Sequence, residues 1–211
     1  MSNHDFPRPC RDPSDAEVFV AAKILTHRPC MVSFAALSDA FHGDAVAAGW
    51  HHDIATGQPR KRNFGEMLML AVSELAEGME GHRKGRNDDK LPDRPMLEVE
   101  LADFIIRCFD TVNVKPLTPR MWHHEASFVD QNVGACLLHI CHPIITADSY
   151  IRSMEYAEAS HEIGCAIAKA FALGRDLALD LPGALRDKRA FNRTRSDHSM
   201  AARSGLGGKA Y

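Results

Sequence analysis

Aromatic residues make up only 7% of this chain, and nowhere does it carry a long apolar run or an excess of positive charge. With no stretch approaching ~20 consecutive apolar residues, a membrane-spanning helix is not expected. Lys plus Arg number 25 against 28 Asp plus Glu, a formal charge of −3, and this balance excludes a general nucleic-acid binder, whose affinity rests on surplus cations. The first residues are polar and broken by Pro7, Pro9 and Pro13, without the charged-then-apolar order of a secretory signal. Six cysteines occur, most of them inside apolar segments of helical period instead of glycine-rich loops. That placement suits buried, reduced thiols and a cytoplasmic location.

What is present is helical period. Alternating β-branched runs are scarce, while apolar residues recur at three- and four-residue spacing along most of the 211 positions. The pattern predicts an all-α fold: a flexible leader over 1–14, one helical domain over 15–198 and a flexible tail over 199–211. Helices are expected over 16–25, 33–48, 63–81, 96–111, 126–142, 154–179 and 181–195. Asn63 can cap the third, with Glu66 reaching back as in a capping box. Pro143 is expected to break the chain between the fifth and sixth, and Pro182 suits the first turn of the last.

The chemically informative feature is a set of four carboxylates on two neighbouring helices. Glu74 and Glu77 are three residues apart, as are Glu100 and Asp103, so each pair shares a helix face. Both pairs are embedded among Leu, Ala, Val and Ile near the edge of an apolar stripe. Four anions facing one another in a partly dry site repel unless a cation intervenes. An all-oxygen ligand set suits Mg²⁺, or Mn²⁺ in its place, better than Zn²⁺. Two amphipathic helices with solvated acidic faces are the plainer alternative, and would make the chain a non-catalytic interaction protein.

The run NFGEMLMLAVSELAEGMEGHRKG followed by MLEVELADFIIRCFD resembles the MazG-like branch of the all-α nucleoside triphosphate pyrophosphohydrolases, marked by ExxE, a spacer and ExxD. The resemblance covers about 33–110 and returns in KRAFNRTRSDH near the end. It implies a MazG-like helical bundle with a longer helical segment before the C-terminal helix. It also implies Mg²⁺-dependent hydrolysis between the α and β phosphates, with Glu74, Glu77, Glu100 and Asp103 as metal ligands and catalytic groups. Members are commonly dimers or tetramers, so a homo-oligomer is expected. The stretch is most similar to phage-type members associated with dATP or dGTP, which implies a purine deoxynucleotide substrate and a role in shaping nucleotide pools; removal of damaged nucleotides is the alternative.

Substrate-binding candidates follow. Lys188, Asn192 and Arg195 stand at i, i+4 and i+7 on one helix face and match the family's terminal pattern, so they are candidates for gripping phosphates. A solvated basic helix end is the competing reading. Arg83 and Lys84, just after the first acidic helix, are further phosphate candidates, and Arg107 is expected to orient Asp103. Trp50 could stack on a base and Asn63 read its edge, although a tryptophan at a helix end is often core and Asn63 also has a capping role. Two weaker constellations remain. His51-His52-Asp53 suggests half of an HD-type metal site. Cys136, His139, Cys141 and His142, with His123-His124-Glu125 nearby, suggest a zinc-stabilised regulatory module, although Cys141 would point away from Cys136 on a helix.

Overall fold

A computed structural model describes residues 12–121, 128, 132–195 and 200–203. Among these the chain is all-α, with helices α1 (Asp15–His27), α2 (Met31–Ala47), α3 (Phe64–Lys84), α4 (Met96–Val112), α5 (Val133–Arg152), α6 (Tyr156–Asp176), α7 (Leu181–Thr194) and the short α8 (Met200–Arg203). None of the described helices is long and apolar enough to cross a membrane.

Local chemistry sets the helix ends. Ser14 and Glu17 form a reciprocal capping box at the start of α1. At α3 only half of the expected box is present: Asn63 accepts from the Glu66 backbone N–H at 3.1 Å, while the Glu66 carboxylate turns inward, where its Oε2 is buried without a hydrogen-bond partner. Gly85, at φ 58°, ends α3 in the left-handed conformation that glycine adopts without steric cost. Asp180 caps α7 and Pro182 occupies its first turn, as its fixed φ favours.

Pro143 does not break the chain. It lies inside α5, which runs unbroken for 20 residues. A proline lacks the N–H that would bond the carbonyl four residues earlier. Here that carbonyl belongs to His139, and Lys169 of α6 donates to it at 3.2 Å. The neighbouring helix thus supplies the missing donor. The start expected near 126 falls partly outside the described residues; α5 begins at Val133, capped by Asn132.

Helix α4 is the centre of the molecule. Helices α2, α3, α6 and α7 all pack on it, and most of its 17 residues are buried. Helices α3 and α4 form one antiparallel hairpin and α5 and α6 another. The α3–α4 approach is close because α3 presents Gly78 and Gly81. A Cβ at Gly78 would stand 3.3 Å from the Leu97 side chain and 3.4 Å from the Glu100 Cβ, and one at Gly81 would collide with Met96 at 2.5 Å.

Two arginines fasten α7. Arg94 donates to Glu98 at 2.5 Å and to Asp187 at 2.7 Å, while buried Glu98 also accepts the Asp180 backbone N–H at 2.8 Å. These bonds fix the α7 N-terminus on the first turn of α4. At the other end Arg189, 1% exposed, donates to Asp44 and Asp12 at 2.7 Å, to Asp15 at 3.1 Å and to the Pro13 carbonyl at 2.6 Å. The last residues of the expected leader are therefore held against α7. In the expected tail, residues 200–203 form α8, and the Arg203 guanidinium lies 3.8 Å over the Trp50 ring.

Breaking a buried ion pair from one side costs about 3–5 kcal/mol. The carboxylates around Arg189 retain some water contact, so Arg189→Met is expected to lower stability by about 3 kcal/mol in urea denaturation. A loss below about 1 kcal/mol, within the range of exposed pairs, would show that the arginine does not fasten α7.

Candidate metal centre

The α3–α4 hairpin brings the two acid pairs together. One carboxylate oxygen from each of Glu74, Glu77 and Glu100 lies within 4.8 Å of the others. Glu74 and Glu100 are buried at the helix contact, each 5% exposed, whereas Glu77 faces solvent one turn further along α3. Asp103 is half-buried beside them. Its Oδ2 is held at 2.7 Å by the Lys188 ammonium, which reaches in from α7.

The electrostatics record the crowding. Burial, then the Asp103 charge and a hydrogen bond shared with Glu74, push the Glu100 carboxyl up to about 9. Burial also raises Glu74, only partly offset by Arg107, whose Nε donates to Glu74 Oε1 at 2.5 Å. Arg107 thus serves Glu74 and not Asp103, because at its position on α4 it faces α3. Burial works against the Lys188 charge, but adjacent Asp103, with Asp88 and Glu100 further off, holds the ammonium above the ordinary lysine range. Burial and mutual repulsion disfavour charge on Glu74 and Glu100 at once, Arg107 and Lys188 offset this only in part, and a shared proton or a bound cation would relieve it. Hard oxygen donors with one solvent-facing member match the demands of Mg²⁺ or Mn²⁺.

Of the remaining candidates, Lys188 is tied to this centre by a direct contact, as an ion-pair partner of Asp103. Asn192, one turn on, is half-buried, and its Oδ1 is buried without a hydrogen-bond partner. Arg195 follows the end of α7 and lies 5.7 Å over the Phe191 ring. Arg83 and Lys84 are on the exposed last turn of α3, both paired with Glu80. Trp50 is half-buried, with its carbonyl taking a 2.8 Å bond from Arg62. Asn63 is exposed and committed to its cap.

The HD pairing does not form. Asp53 turns into its own loop, accepting from the backbone of Ala55 and Thr56 and the Thr56 hydroxyl. His51 instead joins His42 on Asp110. The zinc constellation on α5 is dispersed: Cys136 is buried and His139 and His142 are exposed, and among the described residues they form no group of converging ligand atoms. His123, His124 and Glu125 lie outside the described residues. Arg94, Glu98 and Asp110 were not singled out from the sequence: beyond the local Arg94–Glu98 pair, their partners Asp180, Asp187, His42 and His51 are distant in the chain.

A carboxyl raised in the folded state binds protons that the unfolded chain has released. Between the ordinary glutamate value near ~4.3 and about 9, chelator-treated protein therefore loses stability as pH rises. Its melting temperature is expected to fall between pH 6 and pH 9, and excess Mg²⁺ to flatten the slope by replacing the shared proton. Glu100→Gln removes the most strongly raised group and should reduce the slope, leaving the part that Glu74 contributes. A wild-type slope of opposite sign, or one untouched by Glu100→Gln, would remove Glu100 as its source.

Among known proteins, the chain matches no family model, no curated protein and no solved structure, so the chemistry of the centre is read from its own residues.

Proposed function

We propose that this chain is a MazG-like, Mg²⁺-dependent nucleoside triphosphate pyrophosphohydrolase, releasing the nucleoside monophosphate and pyrophosphate. The observation that carries this reading is the convergence of Glu74, Glu77 and Glu100 from two packed helices, with Asp103 and Lys188 alongside. These carboxylates would hold Mg²⁺, or Mn²⁺, which when bound offsets triphosphate charge and acidifies water.

The chain's own residues divide the remaining work. Glu77, facing solvent, meets the incoming triphosphate first, while Glu74 and Glu100 form the floor. Arg107 fixes the Glu74 carboxylate, and Lys188 fixes Asp103. Water attacks the α-phosphorus as the bond to the α–β bridging oxygen breaks. An ionised carboxylate of the cluster takes the water's proton, and the pyrophosphate leaves with the bridging oxygen. Asn192, one turn on from Lys188 along α7, and Arg195, just past its end, would grip the outer phosphates, with Arg83 and Lys84 as secondary contacts.

Trp50 and Asn63, on the connection that leads into α3, are the candidates for the base. Arg203 covers one face of the indole, so a stacked base takes the other face or displaces the guanidinium. A purine deoxynucleotide is the proposed substrate. The proposed homo-oligomer, a dimer or tetramer, would use α5, which leaves Leu138 and Ile145 exposed two turns apart, 70% and 65% respectively.

Phosphorus NMR of a deoxynucleoside triphosphate panel with Mg²⁺ tests the reaction. Monophosphate and pyrophosphate should appear in equal amounts, and Glu77→Gln should lower turnover at least ~100-fold while the helical circular dichroism stays unchanged, since removing one charge-stabilising group of a site commonly costs that much. Near-normal turnover by Glu77→Gln at limiting Mg²⁺, or release of orthophosphate, would contradict the proposal.

A further inference from the structure

Among the described residues, one other group of ligand atoms converges outside the carboxylate centre. His42 on α2, His51 on the following connection and Asp110 near the end of α4 meet at a single point. The His42 Nδ1 lies 2.7 Å and the His51 Nε2 2.8 Å from the same oxygen, Asp110 Oδ1. The two imidazoles stand edge to face with centroids 4.8 Å apart.

We propose that His42, His51 and Asp110 form a second metal site, which takes a first-row transition ion of the Zn²⁺ kind and is separate from the all-oxygen centre. Two imidazoles and one carboxylate are a ligand set that such ions favour and Mg²⁺ does not. Tetrahedral coordination with bonds near ~2.0–2.1 Å places ligand atoms about 3.3 Å apart. Each imidazole nitrogen would withdraw from Asp110 Oδ1 by about half an ångström, and the three ligand atoms already lie within 4.8 Å of one another. His42 keeps 26% of its side chain exposed, against 11% for His51 and 14% for Asp110. The ion can enter on the His42 side and keep a water there as its fourth ligand.

To ligate an ion, the nitrogen that faces Asp110 on each ring must present a lone pair, so any proton it carries moves to the other ring nitrogen or leaves to solvent. Arg62, close enough for its charge to sense Asp110, donates its Nη1 to the Trp50 carbonyl. Asp110 follows Asp103 by seven residues, two turns or about 10 Å along α4, so the two centres share a helix but no ligand. The ion would pin α2 and the Trp50-bearing connection onto α4.

Chelator-treated full-length protein is titrated with Co²⁺, read by its visible ligand-field absorption, and with Zn²⁺, read by equilibrium dialysis and metal analysis. One equivalent of each is expected at this site, with Co²⁺ displaced by Zn²⁺ and not by a large excess of Mg²⁺. His51→Gln, and independently His42→Gln on the more exposed ring, should each weaken binding at least ~10-fold. Glu77→Gln should leave it unchanged, which separates this site from the carboxylate centre and from the proposed hydrolysis. Three results overturn the proposal: no ligand-field absorption at equimolar Co²⁺, full binding retained by both histidine variants, or an intense thiolate charge-transfer band that places the ion on cysteine.

Discussion

The structure turns on the burial of two carboxylates at one helix contact. Glu74 and Glu100 are pressed together where α3 crosses α4, and both are pushed towards their neutral forms. Hydrophobic packing around them is ample, so the acids contribute nothing to the core as such. Leucines there would pack without any desolvation cost. Arg107 and Lys188 offset part of that cost, and Glu77 on the open side with Asp103 beside them completes a group that can receive a further cation.

Much of the remaining architecture supports that contact. Gly78 and Gly81 let the backbones approach closely enough for oxygens on different helices to meet. Arg94 and Glu98 anchor the start of α7 on α4, and Arg189 anchors its far half on α1 and α2. Lys188 is thereby held over Asp103, between two buried cross-links. Of the α7 face that reads in sequence as a phosphate-ready stripe, Lys188 points into the acidic centre. Arg189 and Arg193, on another face of the same helix, pair with Asp12 and Asp44.

Legibility in the sequence followed the range of each interaction. The acid pairs are readable because i,i+3 spacing alone puts both members on one face. The all-α class and most helix ends are readable for the same local reason. Pro143 misleads because its remedy, Lys169, lies on another helix. Glu66 misleads because its spacing from Asn63 is right while tertiary packing draws its carboxylate inward. Arg107 was assignable to the site but not to its partner, since Asp103 is one turn away along the chain and Glu74 is across the interface. The His42–His51–Asp110 group has no sequence signature, because its members come from three elements and only the packing of α2 on α4 brings them together.

The most direct test of the central claim is Mn²⁺ binding to the carboxylate group, followed by electron paramagnetic resonance of the free ion. Wild-type protein is predicted to bind Mn²⁺ in competition with Mg²⁺. Glu100→Gln should lose at least ~10-fold in affinity while keeping its helical spectrum, as metal sites do when a supporting group is removed. Equal Mn²⁺ affinity in the two proteins would contradict a metal centre at the α3–α4 contact and leave the paired glutamates as a buried, proton-sharing contact.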